Sequence, residues 1–446
     1  MVGIQTPSLV SETTLGSRLR RCMEDLCGPD RARGLLGILD QAIVSGTRFL
    51  VTVLLGRVCG ADELGRYALG TTVLILIAAV QESLITLPYT AFCHRRDESE
   101  RRRYAGNVLK QFAVLSAIAA LFQLLLATVY LLTDSPNGIV GVMCALVGVL
   151  PLFLLHEFCR RIGFAHRDVA SVVVFDSAFA SVTGLLLILA SLYGVLSGLT
   201  TLLLVGMAYG TVGGVWLYKS IRNYDFWDRQ LLDDIFRHWS FGKWILAAES
   251  SMVVRSYLGA WVLALYISEA ATGIYTACMM VVVLANPLLI GVSNVLAPDV
   301  AHGFASGGIR AARRIVWKTT MGMAMLATAF FLLMTLCGEY LITLVYGTGF
   351  SGASACIAIL VWGVFVEAVG TPASNGLWAI ERTRLCFIGN LLGMIAAVVL
   401  TVMLAPAMGI VGAASGHTGA KLITNLFLCT AFVAVTKTPA LEGVTL

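Results

Sequence analysis

Residues 138–159 read GIVGVMCALVGVLPLFLLHEFC, and this stretch decides the fold class. No charged side chain occurs between Gly138 and Leu155. A helix needs about 20 mainly apolar residues to cross the hydrocarbon core of a bilayer. The apolar run is continuous rather than alternating, which argues against a β-barrel strand. The stretch therefore predicts a transmembrane helix.

The composition extends this prediction to the whole chain. Of 446 residues, 58% are hydrophobic and 13% are charged, and the charged share is about half that of globular proteins. This argues against a soluble enzyme, a disordered chain and a nucleic-acid-binding protein. We find no phosphate-binding loop, no nucleophile motif and no CxxC pair, and most of the 11 cysteines lie in apolar runs. We expect no enzyme activity, no metal site and no cofactor.

Twelve segments satisfy the length and polarity of a membrane span. They are, approximately, residues 34–56, 67–92, 109–133, 138–159, 169–193, 195–218, 241–266, 270–297, 319–337, 353–378, 385–405 and 409–435. The segments between them carry turn-forming residues, as at Tyr193-Gly194 and at 405–409. The segment 298–318 is predicted as an inner loop. The longest outer loop, about 338–352, has Glu339 as its ionisable residue.

The basic residues give the orientation. Of 31 Lys and Arg, 26 fall in the two tails or in loops on one side, including Arg160 and Arg161 after the fourth span. Only Arg57 and Arg66 fall in loops on the other side. Loops rich in Lys and Arg stay in the cytoplasm, so both termini are predicted to be cytoplasmic. We expect a multi-pass membrane protein.

The two halves of the chain look like copies of each other. Ala61–Ala68 aligns with Glu269–Thr276 at an offset of 208, and 165–176 aligns with 379–390 at an offset of 214. The predicted fold is an all-α membrane protein of about 12 transmembrane helices, with two six-helix bundles related by a pseudo-twofold axis along the membrane normal.

This organisation divides the chain into five parts. We expect a cytoplasmic N-terminal tail (1–33), a first bundle (34–218), a cytoplasmic amphipathic linker (219–240), a second bundle (241–436) and a cytoplasmic tail (437–446).

Three basic residues lie inside predicted spans, where a charge is costly and normally faces the bundle interior. Arg48 and Arg255 occupy nearly equivalent positions of the two repeats, and Lys421 lies in the last span. Guanidinium and ammonium groups suit a phosphate-bearing anion. We therefore expect Arg48, Arg255 and Lys421 to bind substrate, although a structural ion pair is the alternative.

Five carboxylates also lie inside predicted spans. A buried carboxylate can carry a proton or coordinate sodium, so each of the five is a candidate for coupling transport to H+ or Na+. A hydrogen-bonded contact between helices is the alternative. These residues are Asp40, Glu82, Asp176, Glu249 and Glu367.

Several short stretches carry a family resemblance. They are Leu54–Val58 (LLGRV), Glu63–Tyr67 (ELGRY), Gly273–Tyr275 (GIY), Tyr346–Phe350 (YGTGF) and Gly409–Ala414 (GIVGAA). They resemble the polysaccharide transporter branch of the multidrug/oligosaccharidyl-lipid/polysaccharide (MOP) exporter superfamily. This resemblance implies two six-helix bundles, alternating access and a location in the bacterial inner membrane. It also implies a flippase that moves an undecaprenyl-diphosphate-linked oligosaccharide to the outer leaflet.

The resulting hypothesis is a flippase for lipopolysaccharide or exopolysaccharide biosynthesis. Its partners would be the lipid-linked oligosaccharide, membrane lipids and other membrane proteins of polysaccharide assembly, with no nucleic acid. The rival with the same architecture is a multidrug or cation antiporter, whose cavity would favour acidic and aromatic residues. A membrane-embedded glycosyltransferase is the rival from another class.

Overall fold

The structure is a computed structural model that describes residues 14–133, 137–226 and 231–437. Within these ranges the regular structure is helical, which confirms the predicted all-α fold class. The α-helices are α1 (Thr14–Cys27), α2 (Pro29–Cys59), α3 (Ala61–Gln81), α4 (Leu87–Phe92), α5 (Glu98–Leu132), α6 (Asn137–Ala165), α7 (Val169–Leu192), α8 (Gly198–Ser220), α9 (Leu231–Tyr266), α10 (Glu269–Val283), α11 (Asn286–Tyr346), α12 (Ser354–Ala379) and α13 (Thr383–Lys437).

Twelve membrane crossings can be assigned to these helices. Among the described residues, nine helical segments are long and apolar enough to span a membrane, and α3 with α4 forms one of them. Two others, α11 with 61 residues and α13 with 55, are long enough for two crossings each. The charged helix α9 supplies the remaining crossing. The described helices therefore accommodate the predicted number of spans.

Glycines with positive φ mark the bends between consecutive crossings. Gly194 (φ 68°) follows α7, and Gly409 (φ 60°) interrupts α13, both at predicted turns. Gly308 (φ 65°) interrupts α11. The prediction of a loop over 298–318 is wrong, because this segment is helical on both sides of Gly308. Its basic residues suggested a loop, but Arg and Lys are good helix formers.

The predicted outer loop over 338–352 is also shorter than expected. Helix α11 continues to Tyr346. Glu339 therefore lies on a helix, and its Oε1 accepts a hydrogen bond from the backbone N–H of Gly352 at 2.8 Å. The carboxylate closes the short turn between α11 and α12.

The same turn follows the fourth span of each repeat. Among the described residues, Arg167 (φ 61°) and Glu381 (φ 62°) are the non-glycine residues with positive φ, and they align in the predicted repeat. In each turn the next residue donates a backbone hydrogen bond across it, Asp168 to Gly163 and Arg382 to Leu377. This helix ending is a Schellman-type cap. The two turns support the internal repeat independently of sequence identity.

The chain forms two compact units. The N-terminal unit contains the residues up to Cys59 and residues Leu69–Ser250. The C-terminal unit contains Gly60–Ala68 and the residues from Ser251 onward. The first turns of α3 thus belong to the C-terminal unit.

Within the C-terminal unit, the two aligned segments pack on each other reciprocally. A Cβ atom on Gly65 would overlap the carbonyl oxygen of Glu269, and a Cβ on Gly273 would overlap that of Ala61. Both pairs are equivalent at the offset of 208. Arg66 donates hydrogen bonds to Glu269 and Glu63 at the same contact. Glycine is needed here because the backbones of α3 and α10 touch.

Candidate functional site

Each unit holds a cluster of charged side chains. The N-terminal cluster joins Asp40 on α2, Arg160 on α6 and Asp176 on α7. Arg160 donates from Nη2 to Asp40 Oδ2 at 2.7 Å and from Nε to Asp176 Oδ2 at 2.7 Å. Both carboxylates are 1% exposed. One guanidinium therefore bridges two predicted ion-coupling residues that are far apart in the sequence.

This cluster has unused hydrogen-bonding capacity. Within the described ranges, Asp40 Oδ1 and Asp176 Oδ1 are buried and accept no hydrogen bond from an N–H or hydroxyl group, and the two carboxyl groups lie within hydrogen-bonding range of each other. The imidazole of His156 is 3% exposed, and its Nε2 lies 3.7 Å from Asp176 Oδ1. One guanidinium between two carboxylates leaves a formal surplus of negative charge. A buried unpaired acceptor is costly, so the cluster is suited to take up a cation.

Arg160 itself was missed by the sequence analysis. It was counted among the basic residues of the loop after the fourth span, but it lies on α6 and is buried between the two carboxylates. The available signal was its spacing, four residues after His156 and therefore on the same helix face.

Glu82 and Glu249 lie in the same unit but outside this cluster. Glu82 begins a π-helical turn, Glu82–Thr86, and π-turns often occur at functional sites. Arg161 donates to Glu82 Oε2 at 2.8 Å, and both side chains are partly exposed. Glu249 on α9 lies within electrostatic range of Glu82 and Arg161. Arg161 was also predicted as a loop residue and is instead on α6.

Arg48 lies on α2 with an exposed side chain. Its charge acts on His156 and Glu157 of α6. The structure therefore places Arg48 beside a glutamate of the fourth span.

The C-terminal cluster contains the other two predicted substrate-binding residues. Lys421 Nζ on α13 pairs with Glu367 Oε2 on α12 at 2.7 Å. Arg255 on α9 donates from Nη1 to Thr424 Oγ1 at 3.3 Å. His417 Nδ1 lies 3.3 Å from the carbonyl oxygen of Arg255, which can only accept, so the ring nitrogen donates this hydrogen bond. Thr424 and His417 were not predicted as site residues.

The charges of this cluster do not cancel. Lys421 and Glu367 neutralise each other, which leaves the guanidinium of half-buried Arg255 as the surplus. Glu367 also lies within electrostatic range of Arg255. An arginine of the first span near a glutamate of the fourth thus recurs in both repeats, as Arg48 with Glu157 and Arg255 with Glu367.

A third polar group lies where the predicted linker meets the N-terminal unit. His238 on the first turns of α9 is 2% exposed, and its ring contacts Tyr104 Oη at 2.7 Å and Gln111 Oε1 at 2.8 Å. Asp234, one turn earlier, accepts from Arg96 at 2.8 Å and from Asn107 at 3.0 Å. Burial lowers the pKa of His238 to about 4, so the ring is neutral at pH 7.

Comparison with known proteins identifies the fold. No protein-family model matches the chain, and no curated protein sequence matches it. Among solved structures, an inward-facing multidrug resistance MATE transporter of the MOP superfamily is similar, with TM-score 0.72, 14% identity and coverage of 90% of this chain and 96% of the other. The lipid II flippase MurJ, in an inward closed conformation, gives TM-score 0.69 and 13% identity over 92% and 93%.

A third similar structure is described by the polarity of its binding pocket. It is a MOP superfamily transporter from Pyrococcus furiosus described as having a binding pocket of reverse polarity, which suggested a different function for that protein. It gives TM-score 0.64 and 11% identity over 97% of this chain and 99% of the other. At these identities the similarity shows the fold alone, so the chain has the fold of MOP superfamily transporters.

Proposed function

We propose that this protein is an alternating-access flippase that moves an undecaprenyl-diphosphate-linked oligosaccharide from the cytoplasmic to the outer leaflet of the bacterial inner membrane. The product would serve lipopolysaccharide or exopolysaccharide assembly. The MOP fold supports a transporter, and both a lipid II flippase and multidrug transporters share it. The choice between these substrate classes rests on the charged clusters.

The observation that carries the proposal is the surplus cation of the C-terminal cluster. Arg255 is half-buried, and its side chain donates a hydrogen bond to the neutral hydroxyl of Thr424. A guanidinium that makes one hydrogen bond to a hydroxyl retains N–H donors for two oxygens of a phosphate. Arg255 would therefore hold the diphosphate, while Glu367 neutralises Lys421. Arg48 stays a separate predicted contact.

A multidrug or cation antiporter is the second candidate, and the N-terminal cluster favours it. Asp40 and Asp176 carry surplus negative charge, as a site for a cation would. The same feature suits a flippase that is driven by an ion gradient. In our proposal one proton is taken up by this carboxylate pair during each cycle, and the anionic substrate is bound in the other unit.

The test uses purified protein in proteoliposomes that contain an undecaprenyl-diphosphate-linked glycan. Transbilayer movement is followed for the wild type, Arg255→Ala, Arg48→Ala and Arg57→Ala. Arg57 is the matched control, because it is an exposed arginine in the last turn of α2 that belongs to neither charged cluster. We expect movement by the wild type and the control, and a loss of about tenfold or more in Arg255→Ala, since one charge-assisted hydrogen bond contributes about 1.5–3 kcal/mol.

Two results would contradict the proposal in different ways. Normal movement in Arg255→Ala would remove the assigned headgroup contact. No movement by the wild type, together with efflux of a cationic dye driven by a proton or sodium gradient, would favour the antiporter.

A further inference from the structure

A short amphipathic helix packs against the two helices that carry the N-terminal carboxylates. Helix α1 contacts α2, which carries Asp40, and α7, which carries Asp176. Leu19 and Met23 of α1 pack on a small apolar cluster whose buried members are Leu36, Ala170 and Val173.

This apolar cluster lies one helical turn from the carboxylates. Leu36 precedes Asp40 by four residues, and Val173 precedes Asp176 by three, so each apolar side chain shares a helix face with a carboxylate. Leu36 is 1% exposed and Val173 is 3% exposed. Helix α1 therefore covers the face of α2 and α7 between the carboxylates and the N-terminal ends of these helices.

Helix α1 is only partly packed. Leu15 and Leu26, near its two ends, are 63% and 75% exposed, and Arg18 and Arg21 on its polar side are exposed as well. Gly28, in the left-handed region with φ 82°, separates α1 from α2. A one-residue glycine turn lets a helix change direction sharply. Helix α1 is thus a separate element that packs on α2 and α7 through Leu19 and Met23.

We infer that α1 is a displaceable cover over the Asp40–Asp176 pair, which excludes water and ions from the side where α2 and α7 begin. The inference rests on the proposed function in one respect, because it treats this pair as the carrier of the coupling ion. An ion carrier that opened to both sides of the membrane at once would dissipate the gradient. A cover on one side prevents this leak while the other side is open.

The test measures access of water to the carboxylates directly. The full-length protein in nanodiscs is treated with a water-soluble carbodiimide, and labelling of Asp40 and Asp176 is measured by peptide mass spectrometry. Leu19→Gln places a polar group in the covered apolar cluster, whereas Leu15→Gln makes the same change at an exposed leucine near the start of α1, outside that cluster. Met23→Gln is a second variant of the covered face. Labelling of Glu367 in the other unit reports general unfolding.

We expect several-fold faster labelling of Asp40 or Asp176 in Leu19→Gln and Met23→Gln, with Leu15→Gln equal to the wild type and Glu367 unchanged throughout. Equal labelling in Leu19→Gln and Leu15→Gln, with Glu367 unchanged, would overturn the inference. Faster labelling in Leu19→Gln in a protein that moves no lipid-linked glycan would support the cover and count against the proposed function alone.

Discussion

The two charged clusters of this protein are built on equivalent first and fourth spans but have opposite charge surpluses. In the N-terminal unit, Arg160 is shared by Asp40 and Asp176. In the C-terminal unit, Glu367 forms an ion pair with Lys421, and Arg255 donates a hydrogen bond to the neutral hydroxyl of Thr424. The two repeats thus leave formal charge of opposite sign unpaired in their clusters.

The difference shows what determines the role of a buried charge in this fold. A charge inside a membrane protein is costly, and a partner offsets much of that cost. The charge that is left over after pairing is the one available to a ligand. The ion pairs within each unit therefore indicate which charge remains for a ligand, and the number of Arg and Asp residues in the sequence does not.

The largest expected effect comes from removing the shared guanidinium. Arg160→Met leaves two buried carboxylates without their counter-ion, and breaking a buried pair in this way costs about 3–5 kcal/mol. We expect a large fall in the thermal unfolding midpoint in detergent. The matched control is Arg161→Met, whose pair with Glu82 is partly exposed and contributes about 1 kcal/mol or less. Similar midpoints for the two variants would break the comparison.

The next effect concerns the reciprocal glycine contact. Gly65→Ala and Gly273→Ala each place a Cβ against a backbone oxygen, and such overpacking costs about 1–3 kcal/mol. Because the contact is reciprocal, the two variants should be destabilised by similar amounts. Gly322→Ala is the control, since a Cβ there meets no atom within 4 Å. A strong effect at only one of the two glycines in chemical unfolding would show that the contact is not equivalent in energy.

Removing the two paired charges one after the other tests the account of the C-terminal cluster. Lys421→Met leaves the carboxylate of Glu367 to neutralise Arg255, so we expect glycan movement to fall about tenfold. The double variant Lys421→Met/Glu367→Gln restores the surplus on Arg255 and should regain most of the activity. The measurement is the initial rate in proteoliposomes. Failure of the double variant to recover would mean that the ammonium of Lys421 itself contacts the substrate.

The smallest effect is a pH dependence of the N-terminal unit. Burial lowers the pKa of His238 to about 4, and burial also lowers that of His166 to about 4, against about 6.5 in an unfolded chain. The unfolded state therefore binds more protons between these values. The stabilisation is complete above pH 6.5 and is lost as the pH falls towards 4.

His238→Gln should remove the contribution of His238 to the pH dependence of stability. We expect the variant to lose about 1 kcal/mol less stability than the wild type between pH 6.5 and 5, since one pKa unit corresponds to about 1.4 kcal/mol. Chemical unfolding at both pH values measures it. Identical pH dependence in the two proteins would exclude His238 as a source.

Much of the fold could be predicted from the sequence. Long apolar runs and the distribution of Arg and Lys gave the number of spans, because both follow from the bilayer alone. The prediction of a loop over 298–318 was wrong because Arg and Lys are as compatible with a helix as with a loop. Gly308, which does bend α11, follows Ser306 and Gly307, and this Ser-Gly-Gly run was a turn signal that the sequence analysis did not use.

The candidate site was only partly accessible from the sequence. Glu367 and Lys421 were proposed for different roles, as an ion-coupling and a substrate-binding residue, yet they form one ion pair. Asp40 and Asp176 were proposed separately, and Arg160 joins them. Pairing depends on which helix faces meet, and single-sequence patterns do not encode this. The roles of these residues in transport stay predictions.

The most direct test of the opposite surpluses is substrate binding to each cluster variant. Binding of an undecaprenyl-diphosphate-linked glycan to the protein in nanodiscs is measured for the wild type, Arg255→Ala and Asp176→Asn. The account predicts a Kd raised about tenfold or more in Arg255→Ala and little changed in Asp176→Asn. Unchanged binding in Arg255→Ala, or an equal loss in both variants, would contradict it.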